Sequence, residues 1–369
     1  MSEPFDVCIR GAGIVGRTLA LHLANNRLRV ALVASAAPDA ADVRAYALNR
    51  PARTLLEAVR CWPSEPHATP VGGMHISADE GGQVQFTATD HQTDALGWIV
   101  DVPALEAMLD AAIGCQARIA VLAAPASATL TVVCEGRTST TRNDWGLDFD
   151  ITPYPQWALA TRVECQKPHG QVARQWFNQG EILALLPMGG TGGQHCALVW
   201  SLSPQRAQAL QAMAPTEFCA ALTAASHAQT GQLSLTAQRK VWPLQHALAR
   251  RWSGSNAEGA WVLAGDAAHN VHPLAGQGLN LGLGDTAELV RIIAQRPYWR
   301  SVGDARLLRQ YERSRKAEFT LMGLANDSLQ QLFTHTNPLL QSVRNWGMNR
   351  FNNTPALKNR IARRAMGST

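Results

Sequence analysis

Between Phe5 and Ser35 the chain reads "FDVCIRGAGIVGRTLALHLANNRLRVALVAS". Phe5–Ile9 has the length and apolar content of a short buried strand. Gly11, Gly13 and Gly16 then form a GxGxxG spacing. A helical pattern follows through Leu19, Leu23 and Ala24, and a second apolar run comes at Val30–Val33. Strand, glycine turn, helix and strand in that order specify a β-α-β unit, whose parallel strands need cover on both faces. The glycines have separate tasks in such a unit. Gly11 allows the tight turn, Gly13 lets backbone approach a pyrophosphate, and Gly16 permits close helix–strand packing. The N-terminus of the helix supplies N–H groups and a positive dipole end.

The second strand departs from this pattern. A ribose-binding Asp or Glu is expected about 20 residues beyond the glycines, but here the strand ends in Ala34 and Ser35. A Ser35 hydroxyl contributes ~0.5–1.5 kcal/mol against ~1.5–3 for a charged partner. The expected loss in affinity is on the order of tenfold. Either the adenosine half is held more weakly, or the nucleotide carries a 2′-phosphate that Arg44 meets.

A second glycine-rich stretch lies far along the chain. "GDAAHNVHPLAGQG" spans Gly265–Gly278 and directly follows the apolar "WVLA". An aspartate ending a strand, followed by a proline and close-set glycines, suits a ligand with hydroxyls and a flat polar edge. With a pyrophosphate grip at Gly11–Gly16, the two motifs match one elongated cofactor, FAD. Asp266 would accept hydrogen bonds from ribityl hydroxyls, the competing reading being an N-cap for the next turn. Pro273 would pack beside the isoalloxazine. Gly276, Gln277 and Gly278 would open a helix at Leu279 whose N–H groups face the ring. Gly282 is read as a helix-packing glycine and His269 as a structural hydrogen-bonder. His272 is read as a pocket-wall residue. No carboxylate or Cys completes a metal set around the two histidines.

These segments resemble the flavoprotein aromatic hydroxylases of the p-hydroxybenzoate hydroxylase type, and more narrowly the ubiquinone-biosynthesis hydroxylase family. "GDAAHNVHPLAGQGLNLGLGD" (265–285) carries the resemblance most specifically. "DVRAYALN" (42–49), "VCEGRTSTTR" (133–142), "FNQGEILALLPM" (177–188), "YERSRKAE" (311–318) and "SVRNWGM" (342–348) extend it. In the first of these Arg44 would be the flavin-side contact. In the second, Glu135 replaces the family's Asp before Gly136.

The resemblance implies an α/β fold: a Rossmann-like FAD-binding domain, an inserted mixed β-sheet substrate domain, and a C-terminal helical region. It places FAD-binding pieces at 1–71, 98–150 and 246–300, substrate-sheet pieces at 72–97 and 151–245, and the helical region at 301–369. Alternation in "GGMHISADEGGQVQFTA" (72–88) reads as a hairpin, and "DVPALEAMLDAAI" (101–113) as an amphipathic helix buried through Leu105, Met108, Leu109 and Ile113. The implied activity is hydroxylation of a polyprenylated phenol with NAD(P)H and O2. Two other readings stand beside it: a same-fold monooxygenase on another aromatic substrate, and a flavin-poor, non-catalytic subunit of a biosynthetic complex. No residue is singled out as a catalytic base.

Composition sets the boundaries. The seven cysteines stand singly, with no CxxC pair, which argues against a disulfide framework or zinc site and fits a reducing cytoplasm. No run of apolar residues is long enough to span a bilayer, and no signal peptide is read at the start. From Ser328 onward there are six cations (Arg344, Arg350, Lys358, Arg360, Arg363, Arg364) and no carboxylate, which exceeds the net charge of +5 for the whole chain. No nucleic-acid motif accompanies them. The expected partner is a lipophilic phenolic substrate, and the basic tail is the candidate contact with a membrane's inner face or a biosynthetic complex.

Overall fold

The computed structural model describes residues 4–34, 42–78, 81–270 and 277–334, with side chains described only within 4–34, 42–78, 81–270 and 278–320. The chain opens as β1 (Phe5–Arg10), α1 (Ile14–Asn25) and β2 (Val30–Val33). Next come β3 (Ala45–Leu48), α2 (Arg50–Ala58), β4 (Ala68–Pro70), β5 (Gly73–Ala78), β6 (Gln83–Thr87) and β7 (Trp98–Asp101). The middle holds α3 (Val102–Gly114), β8 (Ile119–Leu122), β9 (Ala128–Val133), α4 (Thr140–Asp144), β10 (Phe149–Cys165), β11 (Val172–Asn178), β12 (Glu181–Pro187) and β13 (His195–Leu202). After α5 (Pro204–Ala212) and α6 (Pro215–Ala225) follow β14 (Leu233–Leu235), β15 (Lys240–Ala249), β16 (Ser253–Asn256), β17 (Gly259–Leu263) and β18 (His269–Asn270). Helices α7 (Gln277–Ala294) and α8 (Ala305–Thr334) end the described chain.

Apolar side chains on both faces make β1, β2, β9 and β17 the buried strands of a six-stranded sheet, in the order β16-β17-β9-β1-β2-β8. All its neighbours are parallel except β16 on β17. Helix α1 covers one face through Leu19 and Leu23, and α3 adds Leu105, Leu109 and Ile113 to the same core. Met108, expected on that buried face, is only half-buried.

A second, mixed sheet runs β18-β15-β10-β13-β12-β11-β5-β6, with β14 on β10. Its hairpin β5–β6 comes from the 72–88 stretch and joins β11 in parallel. Helices α5 and α6 bury Leu210, Phe218 and Leu222 against Leu159, Val163, Trp176, Leu198 and Trp200. The boundaries set at 151 and 245 fall inside β10 and β15, so the strands that join the two sheets are shared. A small antiparallel sheet, β3-β7-β4, packs Ala45, Ala47 and Ile99 against Met188 and Ala197 of the mixed sheet.

Candidate functional site

The glycine turn is built by crowding on one side and openness on the other. Gly11 has φ +107°, and a Cβ there would lie 2.4 Å from the Cys134 carbonyl oxygen. A Cβ on Gly16 would lie 2.0 Å from the Gly11 carbonyl oxygen. Neither position accepts a side chain. Gly13 is the opposite case, since a Cβ would meet nothing within 4 Å. Its extended backbone forms the N-cap of α1, which has no side-chain cap and no acidic residue in its first turn. The first N–H groups of the helix and its positive dipole end thus face the open side of the turn.

The second motif lies at the same end of the parallel sheet. β17 runs beside β9, and Gly265 (φ +62°) turns the chain directly after it. Asp285 of α7 fixes that turn from below. Its Oδ2 accepts the Gly265 N–H at 2.8 Å and the His269 Nε2–H at 2.7 Å, while Oδ1 accepts from Arg315 Nε at 2.7 Å. The three side chains are 0%, 2% and 4% exposed for Asp285, His269 and Arg315. Burial opposes the Asp285 charge, but His269 and Arg315 outweigh it and hold its carboxyl below the ordinary range. Arg315 also donates to the Leu281 carbonyl at 3.0 Å, and Tyr311 donates to the Leu263 carbonyl at 3.0 Å. His269, stacked on Trp252 at 4.8 Å, is therefore the structural hydrogen-bonder expected of it.

Asp266 faces the other way. Its side chain is open to solvent yet set deep among surrounding atoms, as on the floor of a cleft. Burial pushes its carboxyl up from the ordinary value of 3.8, with His269, Arg137, Asn270 and Arg44 opposing the rise. The cap position of the turn Gly265–Ala267 is Ala264, so Asp266 sits inside that turn. Arg44 reaches the same cleft, its Nε held by Asp42 Oδ1 at 2.9 Å and Oδ2 at 2.8 Å. Tyr46 is near enough to interact with both charges, and burial raises its phenol above the ordinary value, so it is neutral near pH 7.

Two contacts lock these pieces together. Asn280 donates to the Ala47 carbonyl at 2.8 Å and accepts the Asn49 N–H at 3.0 Å, which ties β3 to the first turns of α7. At Gly282 a Cβ would lie 2.7 Å from Val15, so α7 and α1 approach closely, as its packing role requires. The loop after β9 adds a third support. Glu135 accepts from Ser139 Oγ at 2.7 Å and the Thr141 N–H at 2.9 Å, which fixes the start of α4. Arg142, buried over the Phe149 ring at 3.6 Å, donates to the carbonyls of Ala267 at 3.1 Å and Arg137 at 3.0 Å. It thereby braces the Asp266 turn against β10.

Of the residues assigned from sequence, Gly11, Gly13 and Gly16 form one end, and Arg44 and Asp266 share the cleft at the other. Gly278 stands in the first turn of α7. That helix begins at Gln277 rather than Leu279, because a glycine inside a helix costs only ~1 kcal/mol and is easily offset by packing. Ser35, Pro273, Gly276 and His272 lie outside the described residues. Sequence reasoning missed Tyr46, Arg142, Asn280, Asp285 and Arg315. All five fall within quoted segments, but their partners are distant in sequence.

Residues 124–322 match the family model described as the FAD binding domain. The chain belongs to that FAD-binding family. It is similar to the 3-demethoxyubiquinol 3-hydroxylase of Escherichia coli (strain K12), 26% identical over 397 residues that cover 99% of each chain. It is also similar to the ubiquinone hydroxylase UbiL of Rhodospirillum rubrum, 28% identical over 98% of this chain and 90% of that one. Among solved structures, the p-nitrophenol 4-monooxygenase PnpA of Pseudomonas putida DLL-E4 superposes with a TM-score of 0.78 at 17% identity, covering 100% and 99% of the two chains. The expected fold and the resemblance to flavoprotein monooxygenases of ubiquinone biosynthesis are borne out, and the chain is an FAD-dependent monooxygenase. The residues present fit FAD: an uncapped helix N-terminus behind Gly13, and a deep carboxylate at Asp266. Among the described residues no helix is long and apolar enough to cross a membrane.

Proposed function

We propose that this flavoprotein hydroxylates the aromatic ring of a polyprenylated phenol in ubiquinone biosynthesis, with NAD(P)H as electron donor and O2 as oxygen source. The observation that carries this reading is the joining of two grips, Gly11–Gly16 and Asp266, at one end of a parallel sheet. The near-full-length similarity to ubiquinone hydroxylases supports the substrate class.

When bound, FAD supplies the redox and oxygen-transfer chemistry. The protein's part is to bind, orient and exclude water. The open N-terminus of α1 at Gly13 would hold the pyrophosphate, and Ser35 the adenosine ribose. Asp266 would accept from the ribityl hydroxyls, held to its task by the Asp285 network beneath and Arg142 beside it. Arg44 adds a positive charge over the same cleft, and the first turn of α7 would offer N–H groups to a polar ring edge. The cationic tail would bring the protein to its lipid-like substrate at the inner face of a membrane, or to a biosynthetic complex.

The test is aerobic turnover of the purified flavoprotein with NADH or NADPH and prenylated phenols. The expected result is phenol-dependent oxidation of the reductant and a product one oxygen atom heavier. Oxidation that never depends on a phenol, with no oxygenated product, would overturn the assignment.

A further inference from the structure

The connection between α7 and α8 carries the most exposed large hydrophobic side chains among the described residues. Tyr298 is 93% exposed and Trp299 71%. Their rings meet edge to face at 5.1 Å. The loop beneath them is tightly built. Arg296 donates through Nε to the Arg300 carbonyl at 3.2 Å and through Nη1 to that of Ile293 at 2.6 Å, while the Arg300 N–H bonds to the Pro297 carbonyl at 3.0 Å. The backbone that carries both rings is held in place by these bonds.

Charge around the pair is one-sided. Arg296 and Arg300 flank it, and Arg306, Arg309 and Arg313 stand exposed at helical spacing along the start of α8. Over residues 295–313 the only carboxylates are Asp304 and Glu312. Asp304 accepts the Arg306 and Leu307 N–H groups at the start of α8 and pairs with Arg300 at 3.7 Å, and Glu312 accepts from Ser253 and Lys316, so among the described residues the unpaired cations of the surface are Arg306, Arg309 and Arg313 on α8.

We propose that this loop and the first turns of α8 dock onto the surface of an anionic phospholipid bilayer. Trp and Tyr settle at the level of lipid headgroups because each joins an apolar ring to a polar tip. Arginines around them are attracted by anionic lipid. A protein partner is less well matched. Two aromatic side chains bury ~150–250 Å² each, short of the ~800 Å² per partner of a stable interface. The surface also lies away from the flavin site. Gly303, just beyond the aromatic pair, packs on Thr129 and Ala260 near the starts of β9 and β17, whereas Gly11 and Gly265 follow the ends of β1 and β17. Docking there would leave the Asp266 cleft open to substrate. The inference rests on this surface alone and is independent of the substrate assignment.

The experiment is flotation of the full-chain flavoprotein with vesicles of phosphatidylcholine, with and without phosphatidylglycerol. The chain is compared with a Tyr298→Ser/Trp299→Ser variant and an Arg306→Gln/Arg309→Gln/Arg313→Gln variant. The native chain should bind the anionic vesicles and release in high salt. Binding should fall about tenfold or more without the rings, and by roughly fivefold per arginine removed. Flavin content, melting temperature and turnover of a water-soluble phenol should be unchanged in both variants, which keeps this result separate from the hydroxylase assignment. Native-like vesicle binding by both variants would overturn the proposal, as would equal binding to neutral and anionic vesicles. A concentration-dependent dimer abolished by the ring substitutions would overturn it in favour of a second copy of the chain.

Discussion

Asp266 and Asp285 belong to one glycine-rich segment, yet the fold uses them in opposite ways. Asp285 is fully buried and meets a backbone N–H, an imidazole and a guanidinium, and its carboxyl is held below the ordinary range. Asp266 is deep but open on one side, and burial pushes its carboxyl up. Depth alone therefore does not set the state of a carboxylate; the partners the chain provides decide it. An aspartate supplied with partners is structural. One left facing a cleft with a raised pKa is poised for partners from outside the chain.

Breaking the structural member should have the larger effect. Asp285→Ala leaves Arg315 buried without its central carboxylate and frees the Gly265 turn, which is expected to cost ~3–5 kcal/mol of stability. Denaturant unfolding of the flavin-free protein would measure it, and a loss below ~1 kcal/mol would erase the distinction between the two residues. Asp266→Ala should act on the other quantity. FAD affinity falls by ~1.5–3 kcal/mol, the value of a charged hydrogen bond, while the flavin-free protein melts as before or slightly higher. A smaller gain is expected at the adenosine end, where Ser35→Glu should tighten FAD by roughly tenfold. NADPH competing with FAD there would instead favour a 2′-phosphate site served by Arg44.

Acid separates the same two residues with opposite signs. The folded-state pKa of Asp285 is depressed, so its stabilisation is present above the unfolded value and lost only as pH falls through the lower folded one. The folded-state pKa of Asp266 is raised, so in the flavin-free protein its ionisation weakens the fold as pH rises from the unfolded value to the folded one. On the proposed role, in which Asp266 accepts from ribityl hydroxyls, FAD binds the ionised form. Its affinity should therefore fall on acidification at a pH above that of an ordinary carboxylate, and Asp266→Asn should flatten the profile. A profile unchanged by Asp266→Asn would place the titration elsewhere.

The sequence was legible where chemistry is local. GxGxxG between two apolar runs is a contiguous signal, and β2 falls at Val30–Val33 as read. The hairpin at 72–88 and the helix after Asp101 are likewise set by short-range periodicity. What could not be read was pairing across the fold. Arg315 reaches Asp285 from another helix, Arg142 reaches the Ala267 carbonyl from α4, 125 positions earlier, and Asn280 clasps a strand 233 positions away. No periodicity encodes such contacts. Glu135 shows the same limit in a single residue: as a substitution it read as a departure from the family, whereas in place it caps its own loop.

The central claim is that one FAD spans both motifs, and the most direct measurement is titration of flavin-free protein with FAD and with FMN, which lacks the adenosine half. The native chain should take up one equivalent of FAD and bind FMN at least about tenfold more weakly. Gly13→Val, which places a branched side chain on the open face of the turn, should remove that preference by weakening FAD alone, whereas Asp266→Ala should weaken both flavins together. Equal affinity for FAD and FMN in the native chain, or an Asp266→Ala protein that binds both as before, would contradict the two-ended site.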